Sequence, residues 1–323
     1  AGGGRPQLPP VGTVSAVLPP PAKQSDLPIT AKFVAGGLAG AVAKTVIAPA
    51  DRVKILFQVD PKWAFSIGAA VRTGQAIIKE QGSFALWRGN SATLVKVVPY
   101  SALTYATFDT YERMFSALAG ESNFWTRFLG GAAAGATATT ATYPLDLIRA
   151  RMAARWAVAP ITYTATLVEV WRCRPSVTSF YAGLTPSLLG IFPYAGTSFA
   201  MFETLKSVYV RWKGLANPDE IKAPIRLLFG GAAGLIAQSL TYPLDIVRRR
   251  MQVDSGAQRQ TIQTLCQQLF RKEGGVKAFY KGLTMNYIKG PIAVSVSFVV
   301  NDTLKSVMRK QRDAERDAQS VVT

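Results

Sequence analysis

The chain has 323 residues, 49% of them apolar and only 17% charged, and its 37 basic residues outnumber 19 acidic ones for a net charge of +18. Ordinary globular chains carry roughly 25% charged residues, so the shortfall points to a membrane protein, and the cation excess to an anionic solute or lipid surface. A histidine-free chain with two distant cysteines, Cys173 and Cys266, fits neither a zinc site nor a disulfide framework; both cysteines are read as helix filler. The cations are spread over loops and spans rather than grouped on one soluble face, which excludes a nucleic-acid partner.

Residues 1–28 are rich in Pro and Gly and cannot build a core, so they are expected to form a disordered tail. Six candidate spans follow. Phe33 to Ala50, Ser91 to Phe108 and Gly282 to Asn301 are apolar runs each broken by one lysine: Lys44, Lys96 and Lys289. Phe128 to Leu145, Ala182 to Phe202 and Leu227 to Leu244 contain no charged residue. Each run reaches the ~18 residues that mark a transmembrane helix. Six spans put both termini on one side. The end, residues 310–323, reads as a charged, solvated tail.

A lysine at mid-membrane costs on the order of 3 kcal/mol. Three of them are therefore expected to face a shared watery interior, although a lysine close to the start of its run, as Lys289 is, can also snorkel to the interface.

An internal repeat organises these spans. "PADRVK" at 49 returns as "PLDLIR" at 144 and "PLDIVR" at 243. An aromatic followed two positions later by glycine comes 37 or 38 residues after each proline: "WRG" at 87, "YAG" at 181 and "YKG" at 280. An acidic residue stands 22 further on each time, at Asp109, Glu203 and Asp302, and glycine pairs begin 13 before each proline, at Gly36/Gly40, Gly131/Gly135 and Gly230/Gly234. These offsets divide the chain into repeats over 29–119, 120–216 and 217–309, each with two spans. Between the spans lies an amphipathic segment, clearest where Ile262, Leu265, Cys266, Leu269 and Phe270 form one helical stripe; a short interfacial helix is expected in each repeat.

The glycine pairs allow close helix packing in lipid, and the prolines bend their helices. Past each bend an acid is followed by a base three later: Asp51/Lys54, Asp146/Arg149 and Asp245/Arg248. Such pairs can form within one helix; their threefold recurrence favours a ring in which the acid of one repeat meets the base of the next. A second, incomplete set lies on the even-numbered spans, with Glu203/Lys206 and Asp302/Lys305 but Asp109 followed by Glu112.

The threefold PxDxx[KR] followed by an aromatic-basic-glycine resembles the mitochondrial carrier family over residues 29 to 309. The second repeat departs from the pattern, with "RPSVTSFYAG" and Ala182 in place of the cation. The resemblance implies an all-α membrane protein: six transmembrane helices in three pseudo-symmetric repeats around a central cavity, plus three interfacial helices. It implies a matrix gate at Asp51, Lys54, Asp146, Arg149, Asp245 and Arg248, reinforced by Gln58 and Gln252, nine past their prolines, where the middle repeat has Ala153. It implies a cytoplasmic gate at Asp109, Glu203, Lys206, Asp302 and Lys305. Substrate contacts are implied at Lys96, at Gly190 and Ile191, and at Lys289 and Gly290, with Lys44 touching phosphate. A glycine followed by an aliphatic residue looks like the adenine-nucleotide members, and Tyr194, one turn on, is either a stacking partner for the base or a core aromatic.

"LWRGNSATLVKVVPY", "TYPLDLIRARMA" and "YKGLTMNYIKGPIAVSVSF" look most like members that carry coenzyme A. The expected activity is exchange of coenzyme A or adenosine 3′,5′-diphosphate-type compounds for adenine nucleotides such as ADP by alternating access. Neighbouring expectations are an ADP/ATP or ATP-Mg/phosphate type of carrier, and, from another class, a proton-leak or scaffold protein of the same fold. The partners implied are anionic nucleotide-type molecules and membrane lipid, with cardiolipin on the matrix side, and the location is the mitochondrial inner membrane with both termini towards the intermembrane space. A monomer without cofactor or metal is expected. No nucleophile-base set or phosphate-cradling strand-helix turn suggests an enzyme.

Overall fold

Six helices of 30 residues or more carry the six apolar runs, and each outlasts its run. They are α1 (Ile29–Val59), α3 (Asn90–Ala119), α4 (Phe124–Ala154), α6 (Leu184–Lys213), α7 (Ala223–Val253) and α9 (Leu283–Val322). Three short amphipathic helices lie between the members of each pair: α2 (Ile67–Gln81), α5 (Tyr163–Cys173) and α8 (Ile262–Lys272). This computed structural model describes residues 29–61, 63–157, 162–215, 217–254, 256 and 260–322. The expected tail over 1–28 lies outside them, and α9 continues through most of the segment expected as a charged tail. No strand occurs among the described residues. A helix of 30 residues is about 45 Å long, against a hydrocarbon thickness of roughly 30 Å. The surplus turns carry the charged motifs beyond the apolar runs.

Only the segments Ala223–Val253 and Gly275–Arg312 are apolar enough to mark a span by composition alone among the described residues. α4 shows why: its first two thirds read "FWTRFLGGAAAGATATTATYP", built largely from Ala, Gly and Thr rather than large aliphatics. Small residues bring helices close, and close packing is what α4 does. α3 packs along α4, α6 along α7, and α9 returns to α1, while contacts inside each pair are sparser. The ring of six is thus sealed mainly between repeats. The odd helices α1, α4 and α7 also meet one another, and they do so beyond their prolines, Pro49, Pro144 and Pro243. α3, α6 and α9 carry prolines too, at Pro99, Pro193 and Pro291.

Local chemistry repeats with the same symmetry. Ser66, Thr162 and Thr261 each cap a short helix by accepting from a backbone N–H three residues on, which satisfies one of the four N-terminal orphan donors. The glycines of the aromatic-x-glycine motif precede α3, α6 and α9 with φ of +81°, +84° and +84°. A Cβ on Gly89 would lie 2.9 Å from the Arg149 carbonyl, and one on Gly183 2.9 Å from the Arg248 carbonyl. One on Gly282 would lie 3.5 Å from Lys54 Cγ. Glycine is required at all three by the left-handed backbone and at Gly89 and Gly183 by the space as well, and each glycine seats its helix against the ring base of the next repeat.

Proline leaves a carbonyl one turn back without its helical donor. In α1 that is the Thr45 carbonyl, and Trp87 Nε1 donates to it at 2.8 Å. In the other repeats a tyrosine just before the proline ties helix to linking turn. Tyr143 Oη donates to the Ala182 carbonyl at 3.0 Å, and Tyr242 Oη to the Lys281 carbonyl at 2.9 Å.

Candidate functional site

The ring acids and bases meet between repeats, not within helices. Arg149 Nη2 donates to Asp51 Oδ2 at 2.8 Å, and Arg248 Nη2 to Asp146 Oδ2 at 2.9 Å. The third vertex differs. Lys54 sits 4.9 Å above the Tyr242 ring, and Asp245 has no ion pair among the described residues. The ring is therefore closed at two of its three vertices.

The glutamines do not touch these ion pairs. Gln252 Nε2 donates to Tyr143 Oη at 3.1 Å, and Gln58 Nε2 to Tyr242 Oη at 3.0 Å. Each tyrosine hydroxyl accepts from the next repeat's glutamine while donating to its own linking turn. The third such contact is missing from both sides at once: Ala153 replaces the glutamine, and Ala48 stands where the tyrosine should precede Pro49. Both alanines are buried.

The lysines expected to bind substrate are also bound to the ring. Lys96 Nζ donates to Asp146 Oδ2 at 2.6 Å, and Lys289 Nζ bonds Asp51 Oδ1. Each of these carboxylates thus holds two cations, a ring base and an even-helix lysine. Burial explains the need: Asp51 is 9% exposed and Asp146 4%, and a buried charge is tolerated only when paired and hydrogen-bonded. Lys44 keeps an exposed side chain and lies within electrostatic reach of Asp51, Arg149, Lys289 and Lys96; it forms no ion pair among the described residues. With Lys54 and Arg249, seven cations stand against three carboxylates on this floor, an excess of four.

Gly190 faces Leu244 of α7, 3.8 Å from its would-be Cβ, and Gly290 faces Leu235 at 3.6 Å. Ile191 is half-buried beside Gly190, and Tyr194 leans across α7 so that its hydroxyl lies 3.8 Å from a Cβ built on Gly234.

The opposite ring is not assembled. Lys206 bonds Glu203 on its own helix at 2.8 Å. Asp109, Asp302 and Lys305 form no ion pair between repeats among the described residues. The expected grouping of these five is therefore absent from this conformation: the even helices do not converge at that end as the odd helices do at the other.

Three arginines were missed by motif reading. Arg52 is 1% exposed; it donates to the Ala153 carbonyl at 3.4 Å, the Arg155 carbonyl at 3.2 Å and Gln81 Oε1 at 2.8 Å, and it also bonds the Ala85 carbonyl. Arg151 donates to the Gln252 and Asp254 carbonyls, both at 3.0 Å. Arg250 donates to the Gln58 carbonyl at 3.0 Å and forms a two-pronged bond with Glu273. Each arginine thus caps the C-terminal carbonyls of the next repeat's odd helix, where orphan acceptors and the helix dipole both favour a cation. Lys281 adds a bond to the Asp60 carbonyl at 2.6 Å, and its burial in this linking turn holds its ammonium below the ordinary lysine range.

A threefold bundle with a cationic floor closed at one end and unassembled at the other is the architecture of a solute carrier. The family described as "Mitochondrial carrier protein" matches three times, over residues 25–118, 120–213 and 219–312. The chain is 42% identical over 297 residues to the mitochondrial coenzyme A transporter SLC25A42 of Mus musculus, covering 89% of this chain and 91% of the relative. The Homo sapiens protein of the same name is 42% identical over 296 residues, with the same coverage. The mitochondrial substrate carrier family protein P of Dictyostelium discoideum is 37% identical over 291 residues, 88% of this chain and 96% of the relative. The chain belongs to the mitochondrial carrier family. Its relatives are transporters rather than enzymes, and membership implies a multi-pass protein of the mitochondrial inner membrane.

Proposed function

We propose that this carrier exchanges coenzyme A, or adenosine 3′,5′-diphosphate-type compounds, for adenine nucleotides such as ADP by alternating access. The observation that carries this reading is the floor, where Lys44, Lys96 and Lys289 stand together and cations exceed carboxylates by four. Coenzyme A carries roughly four negative charges on its 3′-phosphate and diphosphate. The relatives named as coenzyme A transporters support the same choice.

In this mechanism the phosphates engage Lys44 first, because it holds no carboxylate. They then draw Lys96 from Asp146 and Lys289 from Asp51. Each acid is left with its ring base alone, so bound phosphate stands in for the ion pairs that break as the odd helices separate. A ligand shifts such an equilibrium only through its differential affinity for the two states, and lysines shared between ring and phosphate provide that difference. The adenine rests against Gly190, Ile191 and Tyr194, with Gly290 leaving room on the facing helix. The ring of Asp51, Lys54, Asp146, Arg149, Asp245 and Arg248, with Gln58 and Gln252 beside it, is the matrix gate, held here by two of its three ion pairs. Asp109, Glu203, Lys206, Asp302 and Lys305 form the cytoplasmic gate when the other end closes, and both termini lie towards the intermembrane space. The carrier works as a monomer. Cardiolipin is its partner at the matrix side, where the outward groove of Val53, Ile67, Val71, Ile78 and Ile288 offers an apolar wall to acyl chains.

Uptake of labelled coenzyme A, ADP, ATP and an unrelated carboxylate into liposomes preloaded with each tests this reading. Exchange of coenzyme A for ADP is expected. Fast carboxylate exchange with no nucleotide uptake refutes the substrate class, and exchange of ADP and ATP without coenzyme A assigns the protein to the ADP/ATP type. Lys96→Ala is expected to abolish uptake while the purified protein keeps its fold.

A further inference from the structure

The three floor carboxylates are equivalent by sequence repeat and unequal in structure. Asp51 takes Arg149 and Lys289, and Asp146 takes Arg248 and Lys96. Asp245 takes neither a ring base nor an even-helix lysine within ion-pair distance. Its missing partners have identifiable reasons. Lys54, the ring base of that vertex, lies over Tyr242. The even-helix position that supplies Lys96 and Lys289, nine residues past the motif aromatic, is Gly190 in the second repeat.

Lys96 of the first repeat reaches Asp146 of the second, and Lys289 of the third reaches Asp51 of the first; by the same threefold rule, position 190 of the second repeat faces Asp245 of the third. Gly190 packs against Leu244, the residue before Asp245, and Tyr194 stands one turn further along α6 with its hydroxyl over Gly234 of the same α7. Tyr194 also lies within electrostatic reach of the half-buried Asp245, so this carboxylate has a glycine where the other two vertices have a lysine, and an aromatic side chain nearby. A carboxylate there repels phosphate and favours a neutral hydrogen-bond donor. The two lysine-bearing vertices favour phosphate. The floor thus sorts the two ends of a nucleotide.

We infer that Asp245 is a specificity-determining residue that accepts a hydrogen bond from the exocyclic amine of the substrate's adenine. This rests on the nucleotide reading above. A hydrogen bond to a charged acceptor corresponds to about a tenfold or greater preference, so the purine amine is expected to set the choice of base.

The test uses purified full-length protein in ADP-loaded liposomes. Competition against labelled ADP uptake compares unlabelled ADP with purine riboside 5′-diphosphate, which lacks only the amine. The wild type is expected to favour ADP by about tenfold. Asp245→Leu is expected to bring the two competitors level, and Asp245→Asn, which keeps a neutral acceptor, to fall between. A role confined to the gate changes the rate for both competitors and leaves their ratio alone. Should Asp245→Leu transport too slowly to measure, the same ratio is read from ligand-induced shifts of Tm in detergent. Equal competition in the wild type, or an undiminished preference in Asp245→Leu, overturns the inference. A wild type that takes up neither ADP nor coenzyme A refutes the nucleotide reading instead, whatever the variants do.

Discussion

Replacing Arg52 by Met is expected to destabilise the closed conformation more than any change at an exposed cation. The guanidinium is fully buried and bonds four acceptors, two of them carbonyls at the C-terminal end of α4. Methionine fills much of the space but donates nothing. The Ala153 and Arg155 carbonyls then lose their cap, and α1 loses its tie to the next repeat. Taking two of the four acceptors as left unsatisfied at roughly 1.5 kcal/mol each gives a loss of about 3 kcal/mol. At about 2–4 °C per kcal/mol for a chain of this size, Tm falls by roughly 6–12 °C. Thermal unfolding of purified protein, followed by thiol-reactive fluorescence or tryptophan emission, measures it. The control is Arg72→Met on the exposed face of α2, where the change is expected within about 0.5 kcal/mol. Arg52→Lys should recover only part of the loss, because one ammonium cannot reach both α4 and the linking turn of its own repeat. If Arg52→Met melts within about 2 °C of the Arg72→Met control, the cap contributes no stability and the reasoning fails.

Gly183→Ala forces a Cβ to 2.9 Å from both the Arg248 carbonyl and Tyr143 Oη at a φ of +84°. It should lower Tm clearly, whereas Gly36→Ala, with nothing within 4 Å, should leave it unchanged or raise it. Trp87→Phe strips the donor from the Thr45 carbonyl beside Pro49 and is expected to cost about 1 kcal/mol in the same melt. Burial pushes the Cys266 thiol above its ordinary pKa. The thiolate fraction at a given pH is therefore lower than for a free thiol, so carboxamidomethylation should lag at pH 8 and catch up only as the pH rises past the ordinary thiol range. Equal labelling rates of Cys266 and a model thiol at pH 8 contradict this.

The six long helices and the threefold repeat were legible because each rests on a periodic residue pattern; the same recurrence only favoured pairing between repeats over pairing within a helix, and the structure makes that pair at two of three vertices. The ends of the helices were less legible. The apolar run of α1 stops near Ala50, but α1 continues to Val59 because its last turns are sheathed by the other odd helices. The arginine caps escaped for a different reason. Arg151 and Arg250 both stand seven past their prolines, but the first repeat has Leu56 there and supplies Arg52 from one turn earlier. The side chain reaches the same carbonyls from a different register, which a comparison of offsets cannot see. Nor do offsets reveal that Lys96 and Lys289 rest on Asp146 and Asp51, because that depends on which even helix flanks which odd one.

Taken vertex by vertex, the closed floor distributes its bonds unevenly but leaves no vertex without support. Between the first and second repeats there is an ion pair, Asp51 with Arg149, and no tyrosine–glutamine contact, since Ala48 and Ala153 stand there. Between the third and first there is a tyrosine–glutamine contact, Gln58 with Tyr242, and no ion pair at Asp245. Only the vertex between the second and third repeats has both, through Asp146 with Arg248 and Gln252 with Tyr143. An arginine cap spans every vertex. A floor built this way is held shut by several modest bonds rather than one strong ring. Its two ion-paired carboxylates are also held by lysines, which the proposed mechanism hands over to phosphate. On the mechanism proposed above, the energy needed to part the odd helices depends on what occupies the lysines, so an empty carrier is expected to keep its floor closed for the same reason a loaded one can open it.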